Sequence, residues 1–207
     1  MRIIAIELPT PYPVGPVNAY LLPGPPITLV DCGPKSSEAQ AALEAGLRTA
    51  GVGFADIRRL IITHGHIDHF GLAATVAAAG GAEVCAHPLD TPGHGQGHIC
   101  LRWDDALIAG DLLLEEISPN PVIEFDTEGR RLRMLPAYLR SLRRVAALAP
   151  AIAYPGHGEP ITTPVARVHE ILDHQRGAQK STGRDAGPPV VDAARARRDL
   201  VPQSGSV

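Results

Sequence analysis

The stretch Thr63-His64-Gly65-His66-Ile67-Asp68-His69 packs three imidazoles and a carboxylate into six consecutive positions. It follows Arg59-Leu60-Ile61-Ile62, a run of buried-strand character. In an extended segment His64 and His66 point the same way, and a turn into a helix can swing Asp68 and His69 towards a neighbouring point. Imidazole nitrogen and carboxylate oxygen are ligands that zinc favours, and a catalytic zinc keeps one position open for water. One short motif can therefore serve two metals. An idle polar turn accounts for a lone histidine, but not for four ligand-type residues at this spacing.

Three further places repeat the pattern of a ligand-type residue set just after a β-like run. In Thr91-Pro92-Gly93-His94-Gly95-Gln96-Gly97-His98, glycine and proline shape a tight loop that lifts His94 clear of its strand. Ile108-Ala109-Gly110-Asp111 is an apolar strand ending in an acid, and Tyr154-Pro155-Gly156-His157-Gly158 sets another histidine on a Gly/Pro loop. Alone, each reads as an ordinary turn or cap. Their joint occurrence in one chain points to a metal centre.

Outward from these motifs, Arg2 to Leu8, Val17 to Leu22 and Ile27 to Asp31 alternate with turn signals and predict an opening antiparallel meander. Ser37 with Gln40 forms a capping-box pattern for an Ala-rich helix to about Ala50. A second Ala-rich helix is expected from about His69 to Ala79, feeding a strand from Ala82 to Ala86. Ile99 to Trp103 and Ala106 to Gly110 read as a hairpin across Asp104-Asp105. Leu135 to Leu148 is amphipathic, Ala151 to Tyr154 a short strand, and Thr163-Pro164 the start of a helix to about Lys180.

With 207 residues, 44% hydrophobic and 20% charged, the chain suits one globular domain over 1–180. From 181 to 207, Gly, Pro, Ser and scattered Arg show no sustained period, so a disordered tail is expected, its Arg195, Arg197 and Arg198 a solvated charge run. A net charge of −3 gives no global field to gather nucleic acid or an anionic membrane, so neither is expected as a partner. No stretch reaches the apolar length of a membrane span, and Met1 to Pro13 lacks the pattern of a signal peptide. Cys32, Cys85 and Cys100 are odd in number and lie among apolar residues, which suits reduced thiols in the cytoplasm.

The order His-x-His-x-Asp-His, Thr-Pro-Gly-His, Gly-Asp, Pro-Gly-His-Gly resembles the metallo-β-lactamase superfamily over roughly Arg2 to Lys180. Leu29-Val30-Asp31-Cys32-Gly33 and Asn18-Ala19-Tyr20-Leu21 are similar to that family's Asp-x-Gly turn and second strand. The resemblance implies an α/β fold, a four-layer αββα sandwich with a binuclear site on one edge. It implies that His64, His66 and His94 hold one metal, that Asp68, His69 and His157 hold the other, and that Asp111 bridges them. Asp31 and His98 would support these ligands from behind. The implied cofactors are two Zn2+ ions, with Mn2+ and Fe2+ able to use the same donors. Two such ions about 3.5 Å apart can share a hydroxide. It would attack an ester, thioester, lactone or amide carbonyl of a small-molecule substrate, with Asp68 shuttling the proton; Asp68 and Asp111 are the expected catalytic carboxylates.

Within the family, flavo-di-iron proteins replace the histidine at His66 with a carboxylate, and secreted lactamases carry Cys at the position of Asp111. RNA-processing branches insert a domain for which the 46 positions from Asp111 to His157 leave no space. The better likeness is to glyoxalase-II-like thioesterases and related small hydrolases. One departure stands out: His69 and His94 are separated by only 25 positions, where the family usually has a further helix and strand. A pocket wall and the cover of a sheet edge are therefore expected to be missing, and that edge would leave a homodimer open. The alternatives to a zinc hydrolase are a metal-binding but catalytically degenerate sandwich serving as a scaffold and, third, a metal-dependent RNA phosphodiesterase.

Overall fold

The strand β2 (Val17–Leu22) is buried along its whole length, and its alternating side chains enter two different cores. Ala19 and Leu21 join one cluster, while Tyr20 and Leu22 join another. A strand covered on both faces must lie between layers, and the rest of the fold follows from that. The computed structural model describes residues 2–86, 91–92, 94–95, 97–117, 125 and 128–181.

As expected, β1 (Ile4–Leu8), β2 and β3 (Thr28–Val30) form an antiparallel meander, with Ile6 opposite Ala19 and Tyr20 opposite Val30. β3 then pairs in parallel with β4 (Arg59–Ile61), and β4 in parallel with β5 (Glu83–Cys85), giving a five-stranded sheet in chain order. Parallel pairs need crossovers. Helix α1 (Ser37–Thr49) makes the first, and α2 (Ile67–Phe70) with α3 (Ala73–Gly80) makes the second. The second sheet has three strands: β6 (Leu101–Trp103) and β7 (Ala106–Gly110) form the expected hairpin, and β8 (Ile152–Pro155) lies parallel to β7. Helix α4 (Met134–Leu148) connects β7 to β8, and α5 (Pro164–Ser181) follows.

Leu43 and Leu47 of α1 and Val76 of α3 pack with Ala19, Leu21, Leu29 and Leu60 on one face of the first sheet. Its other face sets Tyr20, Leu22 and Val30 against Ile108, flanked by Leu101, Trp103 and Tyr154 of the second sheet. Beyond that sheet, Leu107 and Ala109 of β7 meet Tyr138, Leu142 and Val145 of α4, and Val168, Ile171 and Leu172 of α5. The layers thus run helix, sheet, sheet, helix. The chain divides into two units, Met1–Leu172 and Asp173–Val207, and all these clusters lie in the first. In the second, α5 continues and Arg176 pairs with Asp173. Residues 182–207 of the expected tail, with Arg195, Arg197 and Arg198, lie outside the described residues, as do His87 and residues 88–90.

Two local expectations are corrected. The cap of α1 is Ser36, not Ser37: Ser36 has the extended backbone of a cap, and its hydroxyl accepts the Ala39 N–H at 3.1 Å. Ser37 is then the first helical residue, and its hydroxyl donates to Glu38 instead. The single helix expected from His69 to Ala79 is two, broken at Gly71-Leu72. A Cβ on Gly71 would lie 2.3 Å from the Lys35 backbone nitrogen, so only glycine lets α2 approach the turn after β3.

None of the three cysteines is in a disulfide. Cys32 is buried, and burial pushes its thiol up to about 12. Among the described residues no helix is long and apolar enough to cross a membrane. The packing of α4 yields a test: Leu142, fully buried against the second sheet, loses about 2–5 kcal/mol of stability as Leu142→Ala. Exposed Arg143→Ala changes it by less than about 0.5 kcal/mol, both read from urea unfolding midpoints.

Candidate metal centre

All the sequence motifs except the Thr91–His98 loop are delivered by the C-terminal end of a strand. Asp31 follows β3, His64 and His66 follow β4, Asp111 follows β7 and His157 follows β8. His66 keeps an extended backbone as the residue that caps α2, so Asp68 and His69 fall on the first turn of that helix and point back beside it. The strand-then-turn geometry expected of the motif is what separates its four side chains into two sets.

Those sets are His64, His66, His94 with Asp111, and Asp68, His69 with His157; in each, one donor atom per residue lies within 4.8 Å of the others. In the first, His66 Nδ1 is 3.0 Å from His64 Nε2 and 3.0 Å from His94 Nε2. In the second, His157 Nε2 is 3.5 Å from Asp68 Oδ2. Asp111 reaches both. Its Oδ2 is 3.3 Å from His94 Nε2 and 3.7 Å from His157 Nε2, and its Oδ1 is 3.5 Å from His69 Nε2. Buried His69 Nε2 and Asp111 Oδ1 have no hydrogen-bond partner. Orphaned, buried donors of this kind cost free energy unless something else satisfies them. Converging imidazole nitrogens and carboxylate oxygens are the chemistry of a divalent cation site, and the residues fit two such ions.

A further set of groups aims the rings. The Asp31 carboxylate, on a residue only 2% exposed, accepts the Thr63 N–H at 2.8 Å, the Thr63 hydroxyl at 2.7 Å and the His69 Nδ1–H at 2.8 Å. That bond leaves His69 Nε2 facing the site. Thr63 Oγ1 also lies 3.1 Å from His64 Nδ1, and with its own proton given to Asp31 it accepts there. His157 Nδ1–H donates to the Pro16 carbonyl at 2.7 Å, turning Nε2 inward. Ligand histidines are commonly fixed in this way by carboxylate or carbonyl partners. His98 is buried behind His64, stacked at 5.1 Å, with Nδ1 3.2 Å from Thr91 Oγ1; it belongs to neither donor set.

Pro16, Asn18 and Thr63 acquire roles that the motifs alone did not assign. Asn18 donates its side-chain N–H to the carbonyls of Pro155 and Gly158, and its backbone N–H to Gly156, so β2 clamps the turn that carries His157. An asparagine inside an otherwise apolar strand is the signal that marked it. Gly156 is required for a different reason: a Cβ there would fall 2.1 Å from Asp111 Oδ1 and 2.8 Å from His69 Cε1.

The electrostatics agree with the geometry. Burial holds His64 well below the usual histidine range and His94 at about 4, so both rings are neutral and keep a lone pair. Burial likewise pushes His98 down to about 3. For Asp111, burial acts to raise the carboxyl, but His69 3.5 Å away, with the charges of His64 and His157, outweighs it and holds the group far below its ordinary value. Asp68 is also lowered, burial being outweighed by His157 and His69. Burial pulls His69 down, yet Asp31 and Asp111 carry it up to about 10. The carboxylates demand positive charge here, which protons on imidazole or bound cations can provide.

The family model for the metallo-beta-lactamase superfamily matches residues 12–92. The probable metallo-hydrolase YqjP of Bacillus subtilis (strain 168) is 30% identical over 273 aligned positions, covering 97% of this chain and 85% of that protein. Because those 273 positions exceed the 207 residues here, YqjP carries segments that this chain lacks. The hydroxyacylglutathione hydrolase of Anaeromyxobacter dehalogenans (strain 2CP-C) is 31% identical over 122 residues, 45% of each chain. The crystal structure of a metallo-beta-lactamase family protein from Thermus thermophilus superposes with a TM-score of 0.78 at 28% identity, over 86% of this chain and 81% of that one.

Two substitutions test this geometry. Asp31→Asn removes the charge that aims His69 and weakens divalent-metal binding by about 10–100-fold in a chelator competition, with the circular dichroism spectrum unchanged. Gly156→Ala forces Asp111 or the Pro155–Gly158 turn to move, and lowers both the divalent metal bound per chain and the thermal midpoint; unchanged metal content would show that the close approach is not needed.

Proposed function

Because this chain belongs to the metallo-beta-lactamase superfamily, we propose that it is a binuclear zinc hydrolase acting on an ester, thioester or lactone carbonyl of a small molecule, a thioester first. The observation that carries this reading is the Asp111 carboxylate, with one oxygen towards His69 and the other towards His94 and His157. His64, His66 and His94 would hold one ion, Asp68, His69 and His157 the other, and Asp111 would join them. Two divalent cations, when bound, supply Lewis acidity to a carbonyl oxygen and acidify water towards neutral pH. Borderline-soft nitrogen and oxygen donors suit Zn2+, while Mn2+ and Fe2+ compete for the same set.

The chain's own groups then manage position and protons. Asp68 is ionised and buried against His157, placed to take a proton from water and return it to the leaving group. In a thioester, the water oxygen bonds to the acyl carbon and the carbon–sulfur bond breaks. The products are a carboxylate and a thiol, with one proton released. Likeness to a hydroxyacylglutathione hydrolase supports the thioester preference. The reduced thiols suit a cytoplasmic protein. A degenerate scaffold is less well supported, since all seven donors are retained and converge.

The test is zinc content per chain measured with hydrolysis of an acyl-glutathione thioester, a lactone, a phosphodiester and a β-lactam. About two zinc ions per chain and thioester turnover that disappears in Asp111→Ala are expected. Full zinc with no turnover of any substrate would make the protein a metal-binding scaffold, and turnover of the phosphodiester alone would make it a nuclease.

A further inference from the structure

His64 and His66 are also the polar end of a cleft of about 570 Å³ that runs towards the free side of β5. Its other lining residues are Gly65, Gly95, Gly97 and a row of apolar side chains: Ile62, Phe70, Ala73, Val84 and Ala86. Among the described residues, no charged side chain lines it. Val84 is 47% exposed and Phe70 38%, so two large apolar groups face solvent beside the metal-ligand histidines. Contiguous exposed apolar surface next to a polar site is the usual form of a ligand groove, and the volume lies in the range that small molecules fill. Gly65 meets nothing within 4 Å of where a Cβ would sit, so the floor between the two histidines is open to the cleft. Among the described residues β5 pairs only with β4, and no strand lies along its outer side. The chain path from His69 to His94 spans only 25 positions.

We propose that this cleft binds the acyl chain of the substrate, and that the chain is an uncharged aliphatic one of medium length, its carbonyl at the His64–His66 end. This deepens the hydrolase reading above and rests on it. The chemistry of the lining selects the occupant: an apolar wall gains free energy from each methylene removed from water and loses it when a charge is brought in. Specificity would therefore reside in the acyl part, with the thiol part lying towards solvent.

The experiment measures kcat/KM of the zinc-loaded protein on N-acetylcysteamine thioesters from acetyl to decanoyl, with calorimetric titration of octanoate and acetate as a readout independent of turnover. The expected result is a rise of about two- to fourfold per methylene up to a plateau, with octanoate binding more tightly than acetate. Val84→Glu, at the β5 end of the cleft, lowers octanoyl turnover at least about tenfold more than acetyl turnover; Val84→Leu keeps the chain-length dependence. A flat profile, or equal losses on both substrates in Val84→Glu, overturns the acyl groove while leaving the hydrolase intact. If no thioester is turned over, the hydrolase reading fails by itself, and the titration decides the groove: octanoate binding no tighter than acetate overturns it.

Discussion

The buried carboxylate of Asp31 is the constraint on which the site depends. It follows β3, and its oxygens accept from Thr63, two residues beyond β4, and from a ring on α2, so one side chain ties three segments. Removing a partner from such a group leaves a buried charge with unmet hydrogen bonds, far costlier than the loss of an exposed pair. Asp31 also sits at a φ of 56°, a conformation that non-glycine residues adopt rarely and aspartate more readily than most. The parallel pairing of β3 with β4 is what brings Asp31 and Thr63 side by side. Register, cap and ligand orientation are therefore one arrangement.

The rest of the centre repeats this logic from the second sheet. β7 and β8 are parallel, so Asp111 and His157 emerge on the same edge, and the Gly156 N–H donates to the Gly110 carbonyl to hold their turns together. The sheets meet through Tyr20, Leu22, Val30 and Ile108, an apolar interface whose close packing fixes how far apart the two edges stand. β2 adds a direct tie across that interface: Asn18 and Tyr20 both donate to the Pro155 carbonyl. A site assembled from both sheets is in this way set by the sandwich core rather than by its own loops.

Much of this was legible in the sequence because the signals are local. The period-two spacing of His64 and His66, the helix turn that carries Asp68 and His69, and the apolar runs ending at Asp111 and His157 follow from chain geometry alone. What was not legible depends on contacts distant in sequence. The Ser36 cap was missed by one residue because adjacent serines offer equal propensity and only the backbone chooses between them. The break at Gly71 comes from the approach of Pro34-Lys35, and the roles of Pro16 and Asn18 from a turn some 140 residues away. The unequal split of eight strands into five and three likewise has no local signature.

The positions of the donors and of the cleft divide the labour within this fold. Every donor but His94 is held at the exit of a strand or on the helix turn that follows it, beside packed neighbours, and such positions resist change because moving one displaces a core. The cleft instead borders β5, the last strand of its sheet, where Val84 and Phe70 are exposed and the chain between His69 and His94 is short. Shortening that connection alters what lies over the edge without drawing His69 from Asp31 or Asp111 from β7. His94 alone belongs to the shortened segment, and it still reaches within 3.0 Å of His66 and 3.3 Å of Asp111. On the proposed reading, a change in connection length at this edge would act on which substrate is admitted and would leave the donor geometry in place.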